Sequence, residues 1–201
     1  MIAEAAAAIE AGELVVLPTD TVYGLCSSPR EEAVRRLYEL KRRPPEQPTA
    51  ILFGDVGTLL ENLPELRGRP AGIAGVLLPG PYTLIVPNPA RRFPWLNRPR
   101  PDAIGVRVPM PSAPGIAVLE RVDSLVATSA NLPGGPEPRL LDEVPEEIKA
   151  GCAVVLEGGE LPGLPSTVID VTGPEPIVLR EGAVPAGQAL ARVAAAVAPP
   201  E

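Results

Sequence analysis

The sequence contains no histidine. That excludes Ser-His-Asp and Cys-His catalysis, histidine-ligated metal sites and histidine general bases. Its two cysteines, Cys26 and Cys152, stand apart with no metal-ligand spacing, and they read as free thiols of a reducing cytosol. Lysine is nearly missing, with only Lys41 and Lys149 beside the arginines. There is no P-loop, and the pairs Gly134-Gly135 and Gly158-Gly159 match no dinucleotide fingerprint. No apolar run approaches the roughly 20 residues that span a bilayer. The opening MIAEAAAAIEAG has two Glu and no basic segment, so a signal peptide is not expected. The expectation is a cytoplasmic protein with no membrane partner.

Positive charge is also scarce overall. The net charge is −7 and the pI about 4.8. A field of this sign repels nucleic acid and anionic membrane, so any anion site must be local. The basic residues are clumped accordingly, at Lys41, Arg42 and Arg43 and again at Arg91, Arg92, Arg98 and Arg100.

What is abundant is proline, 28 in all, much of it in Pro-Gly or Pro-Pro pairs between apolar runs, which reads as rigid loops. The 201 residues fit one domain, 1–201. Helices are predicted over 2–11 (stopped by Gly12), from Ser28 to about Lys41, and over 55–62, 70–76, 113–121, 141–150 and 186–197. Ser28-Pro29-Arg30-Glu31 reads as N-cap, first-turn proline and capping-box Glu. Strands are predicted over 13–17, 49–53, 82–86, 104–108, 124–128, 153–156, 167–171 and 177–179. Strands and helices alternate irregularly, so the class is α/β or α+β with a mixed sheet. Asn88 to Asp102 is one long Pro/Arg loop, and 44–48 is the candidate for a loop that closes over a ligand.

Polar residues collect at strand ends, where open sheets bind ligands. They are Pro18-Thr19-Asp20-Thr21, Thr128-Ser129-Ala130-Asn131, Ser166-Thr167 and Arg180. Any one cluster reads as turn formers or caps; four in one small domain point to a site. Asp20 reads as a turn residue, and Cys26 as packing. Lys41 and Arg43 suit a phosphate clamp, beyond complementing a helix dipole. Arg107 inside IGVRVP is a cation in a strand, costly unless paired or reaching a ligand, and a surface role and a ligand role both stay open.

In order, PTDTVYGL (18–25), KRRPPEQP (41–48), PGPYTLIV (79–86), VRVP (106–109), TSAN (128–131), PSTVIDV (165–171) and VLREG (178–182) resemble the motifs of the YrdC/Sua5 family of threonylcarbamoyl-adenylate synthases. Each is short; seven in series make the likeness specific. Gln47 stands where the family often has Asn, Leu52 where it often has His, and Pro165 where it usually has Glu. The resemblance is to the short, single-domain form.

It implies an α/β fold with a twisted open mixed β-sheet and flanking helices around a large concave cavity. It implies a nucleotidyltransferase that takes ATP with Mg2+, L-threonine and bicarbonate to threonylcarbamoyl-AMP and pyrophosphate. That product serves the N6-threonylcarbamoyl modification of tRNA adenosine 37, by handover to a tRNA threonylcarbamoyl-transferase complex. Position by position, Thr21, Arg107, Ser166 and the backbone around Ala127 would hold threonine. Lys41, Arg43, Gln47, Ser129, Asn131 and Arg180 would hold the nucleotide, with Lys41 and Arg43 at the reacting phosphates. Thr19, Asp20 and Thr21 would form one wall of the threonine pocket, with Tyr23 beside it as an amphipathic wall, and no protein-held metal site is implied. The alternative is a double-stranded RNA or tRNA binding module without adenylation, carried by Arg91 to Arg100; the acidic total allows only weak RNA binding.

Overall fold

A computed structural model describes residues 1–197. The first helix, α1 (Ile2–Glu10), buries Ala5, Ala6 and Ile9. It ends as the sequence predicts: Gly12, at φ 82, donates to Ile9 O while Glu13 donates to Ala8 O, which closes the last turn. β1 (Val15–Pro18) follows and pairs antiparallel with β2 (Tyr23–Ser27). The second of these strands is not among the predicted ones. Its YGLCS is interrupted by glycine and serine and carries no alternation, because every residue in it is buried.

α2 (Glu31–Lys41) turns Val34, Leu37 and Tyr38 inward. Its start corrects the capping expectation. Arg30 is the N-cap and makes no side-chain cap, and Ser28 Oγ is buried without a partner. The chain continues through β3 (Ala50–Phe53), α3 (Val56–Asn62), α4 (Gly68–Leu77), β4 (Tyr82–Pro87), β5 (Ala103–Arg107), α5 (Ile116–Val122) and β6 (Ser124–Ser129). The helix expected over 141–150 is broken by Pro145 into a 3-10 turn (Leu141–Glu143) and α6 (Glu146–Ala150). β7 (Val154–Val155), β8 (Thr167–Asp170), β9 (Ile177–Arg180) and α7 (Ala186–Val197) complete it.

All nine strands form one mixed sheet, in the order β7-β1-β2-β6-β3-β5-β4-β8-β9. Pairs β7/β1, β3/β5 and β4/β8 are parallel and the other five antiparallel. The period of two along each strand divides the core. Val16, Leu25, Ile51, Phe53 and Leu84 join the larger cluster with α2, α3, α4, α6 and α7 on one face. Val15, Leu17, Cys26, Leu52 and Leu125 join α1 and α5 on the other. This is the α/β class expected: a twisted open sheet flanked by helices.

The second face is only half covered. α1 and α5 pack on the β7-β1-β2-β6-β3 side, and the same face of β5, β4, β8 and β9 is left to line a cavity. Small residues make the room at its floor: Ala50 pairs with both Gly105 and Ala127 across the strands. No helix of the described residues is long and apolar enough to cross a membrane.

Candidate functional site

The cavity holds about 480 Å³. Thr21, Lys41, Arg43, Gln47, Ala127, Ser129, Asn131, Arg107, Ser166 and Arg180 all line it. The ten residues assigned to threonine or nucleotide from the sequence are therefore brought to one hollow, from six separate segments.

The hairpin β1–β2 supplies one wall. Its four-residue loop is organised by Thr19, whose hydroxyl donates to Val22 O (2.7 Å) and accepts from the backbone N–H of Thr21 and of Val22 (3.2 Å each). Thr19 is thus a turn former that also borders the cavity. Asp20 points the other way. One carboxylate oxygen pairs with Arg107 Nη2, and the other accepts from Met110 N at 3.0 Å. Arg107 Nη2 also donates to Thr21 Oγ1 at 3.0 Å. The strand cation of IGVRVP is therefore paired, and its Nε is left buried with no partner. Burial, the largest influence, lowers its proton affinity, and Asp20 opposes this.

The second wall follows α2. Its C-terminal turn closes on Arg42, which sits in the left-handed region at φ 53, with Arg43 N–H bonded to Tyr38 O at 2.8 Å. This sends Arg42 outward to Glu147 and returns Arg43 to the cavity. Arg43 then donates to Pro48 O (2.6 Å) and lies 5.8 Å from the Tyr38 ring centroid. Tyr38 OH donates to Gln47 O at 2.9 Å, so the 44–48 loop is pinned at two points.

Lys41 is only 4% exposed. Its ammonium donates to Ser129 O, to Ser129 Oγ (3.2 Å) and to Asn131 Oδ1 (2.9 Å). All three acceptors are neutral. Burial and then the nearby Arg43 pull its pKa down to about 8, against an opposing effect of Glu137. Asn131 is itself fixed, since its Nδ2 donates to Gly135 O (2.7 Å) and its Oδ1 accepts from Ser129 Oγ (2.7 Å).

The third wall is β8 and β9. Arg180 grips Ser166, donating from Nε and Nη2 to its carbonyl (3.2 and 2.9 Å) and from Nη2 to its hydroxyl (3.2 Å). Ser166 Oγ also lies 2.7 Å from Thr83 Oγ1. The glycine after Arg180-Glu181 has a steric reason: a Cβ on Gly182 would lie 2.1 Å from Pro165 O. Burial lowers the proton affinity of Arg180 too.

Several expectations change. Tyr23 does not border the cavity. It is wholly buried, and its hydroxyl donates to Gly159 O (2.8 Å) and accepts from Gly158 N (3.0 Å), which ties down the 157–165 segment. Leu52 and Pro165, the departures from the family pattern, both line the cavity. Arg92, Arg98 and Arg100 line no part of it, being paired with Glu65, Glu31 and Asp170. The thiols are inert: burial drives Cys26 far above the ordinary range and Cys152 up to about 12. Asp20, expected with Thr19 and Thr21 in the wall of the threonine pocket, does not line the cavity and instead holds Arg107 and Met110 N. Thr83 and Glu137 were not assigned from the sequence. The period of two places Thr83 on the face of Ile85, a signal the sequence did offer; for Glu137 it offered none.

Lys41, Arg43, Arg107 and Arg180 thus meet on one hollow of an acidic chain. The family model for Sua5/YciO/YrdC, described as telomere recombination, matches residues 7–182. A threonylcarbamoyl-AMP synthase of Pyrococcus abyssi is 34% identical over 187 residues, covering 90% of this chain and 54% of the relative. One from Bacillus subtilis is 32% identical, covering 91% and 54%. The chain therefore spans about half the length of these two relatives. The crystal structure of P. abyssi Sua5 complexed with L-threonine superposes with a TM-score of 0.76 at 31% identity, over 93% of this chain and 55% of that one. By sequence and by fold, the chain belongs to the Sua5/YciO/YrdC family.

Proposed function

We propose that this chain is a threonylcarbamoyl-AMP synthase: it joins L-threonine, bicarbonate and ATP into threonylcarbamoyl-AMP, releasing pyrophosphate and water. The observation that carries this reading is the convergence of four cations and a row of hydroxyls and amides on one cavity of a chain with net charge −7. Such a site takes a polyanion locally while the whole molecule repels nucleic acid.

Arg107, held by Asp20, and Thr21, with Ser166 and the backbone at Ala127, receive the carboxylate, hydroxyl and amine of threonine. The amine nitrogen and bicarbonate form an N-carboxylate with loss of water. One oxygen of that carboxylate attacks the α-phosphorus of ATP, and the bond to the β-phosphate oxygen breaks. Lys41, Arg43 and Arg180 meet the charge that grows on the phosphate oxygens, while Gln47, Ser129 and Asn131 position the nucleotide. Positioning and charge stabilisation carry the reaction, so a site without histidine suffices. Magnesium enters as part of the nucleotide substrate. The adenylate would pass to a tRNA-modifying transferase, and a cavity that excludes water would protect it on the way.

The test is pyrophosphate release with magnesium, ATP and bicarbonate, with and without L-threonine. Threonine-dependent release that alanine does not elicit supports the reading; ATP binding with no threonine-dependent turnover removes it.

A further inference from the structure

Glu137 is the one acid among the described residues that line the cavity. It lies on the segment that leaves β6, and its Oε2 is buried with no hydrogen-bond partner. It takes part in none of the ion pairs of the described residues. Its charge is felt by Lys41 and Arg180, raising the proton affinity of both. Yet those cations donate elsewhere, Lys41 to Ser129 and Asn131, Arg180 to Ser166. A counter-charge placed only to neutralise them would be expected to touch one of them. An unsatisfied buried carboxylate oxygen is costly, and it persists where something else meets it.

A carboxylate is an unfavourable neighbour for a triphosphate unless a cation lies between. No three acidic or cysteine side chains come together among the described residues. Asp20, which pairs with the cavity residue Arg107, spends both oxygens on Arg107 and Met110 N. Magnesium carried on nucleotide phosphates takes one or two carboxylates and keeps several waters. We infer that Glu137 is the point at which the protein meets the nucleotide's magnesium ion, directly or through one of its waters, so that the cavity selects the magnesium complex over free ATP. The inference rests on the nucleotide reading above.

Calorimetric titration of ATP, with magnesium or with a chelator and without threonine, tests it on the wild type and on Glu137→Gln. The Gln variant is isosteric and breaks no hydrogen bond, and its thermal melt verifies folding. In the wild type, magnesium tightens ATP binding tenfold or more. In Glu137→Gln, metal-free ATP binds more tightly than to the wild type, and the magnesium factor falls to threefold or less. Manganese in place of magnesium gives a second readout: the spin-resonance spectrum of the bound Mn-ATP differs between the two proteins. An equal magnesium factor in both proteins overturns the inference, and so does equal tightening of both forms of ATP, which would make Glu137 a counter-charge only. A wild type that binds no ATP in either form removes the nucleotide reading and this inference together.

Discussion

Asp20 and Arg107, 87 residues apart in the chain, form an ion pair whose side chains are 5% and 9% exposed. The pair joins the tip of the β1–β2 hairpin to the end of β5, whose Arg107 lines the cavity. Removing one partner of a buried pair strands the other charge, which costs about 3–5 kcal/mol. Asp20→Ala is expected to lose stability of that order in urea denaturation. Asp20→Asn keeps an acceptor and is expected to fold, with KM for threonine raised tenfold or more and KM for ATP nearly unchanged. An unaltered threonine KM in Asp20→Asn would sink the positioning role of this pair.

Lys41 gives a pH dependence of known sign. Its folded pKa of about 8 lies below the ordinary 10.5. Only the protonated form attracts phosphate, so nucleotide affinity is full well below pH 8 and falls above it, by up to tenfold per unit. Stability of the ligand-free protein moves oppositely. Between pH 8 and 10.5 the unfolded chain holds the proton that the folded one releases, so this group's contribution to stability rises with pH. Titrations of ATP binding across pH 6.5–9.5 check the first trend. Lys41→Arg stays charged, and its profile is expected to be flat over that range.

How far the sequence revealed this molecule depended on the range of the cause. Gly12 and the apolar runs of β3–β6 act within a turn or along one strand, and such signals place most elements. Pro145 is a signal of the same range, and it splits the expected helix over 141–150. Ser28 shows the opposite failure: a sound local capping pattern yields to tertiary packing that buries its hydroxyl. β2 escaped because Gly24, Cys26 and Ser27 break up the apolar run that marks the equally buried β1 and β5. The site residues were legible through ordered motifs. Their partners were not, since nothing in TDT announces Arg107, and nothing in GGPEP announces a cavity acid.

Tyr23 illustrates the same limit, and it can be tested. Its place in PTDTVYGL suggested a wall for the substrate; its hydroxyl instead bridges Gly158 N and Gly159 O, 135 and 136 residues away. Tyr23→Phe leaves that donor and acceptor unpaired, at about 1–3 kcal/mol. The expected result is a lowered melting temperature with little change in KM for threonine or ATP. A large rise in threonine KM at unchanged stability would return Tyr23 to the substrate wall.

The turn at Arg42 separates what its backbone does from what its side chain does. Its left-handed conformation is what returns Arg43 to the cavity while its own guanidinium pairs with Glu147 at the surface. Exposed pairs contribute little, about 0–1 kcal/mol. Glycine adopts this conformation without the penalty of about 1–2 kcal/mol that other residues meet. Arg42→Gly is therefore expected to match the wild type in stability within about 1 kcal/mol and to keep full nucleotide affinity. Arg42→Val cannot easily take this conformation, because a β-branched side chain there crowds the backbone. That variant is expected to lose about 2 kcal/mol and, by displacing Arg43, to weaken ATP binding tenfold or more, approaching Arg43→Ala. Binding lost equally in the Gly and Val variants would mean that the Arg42 side chain itself, rather than the turn it occupies, serves the nucleotide.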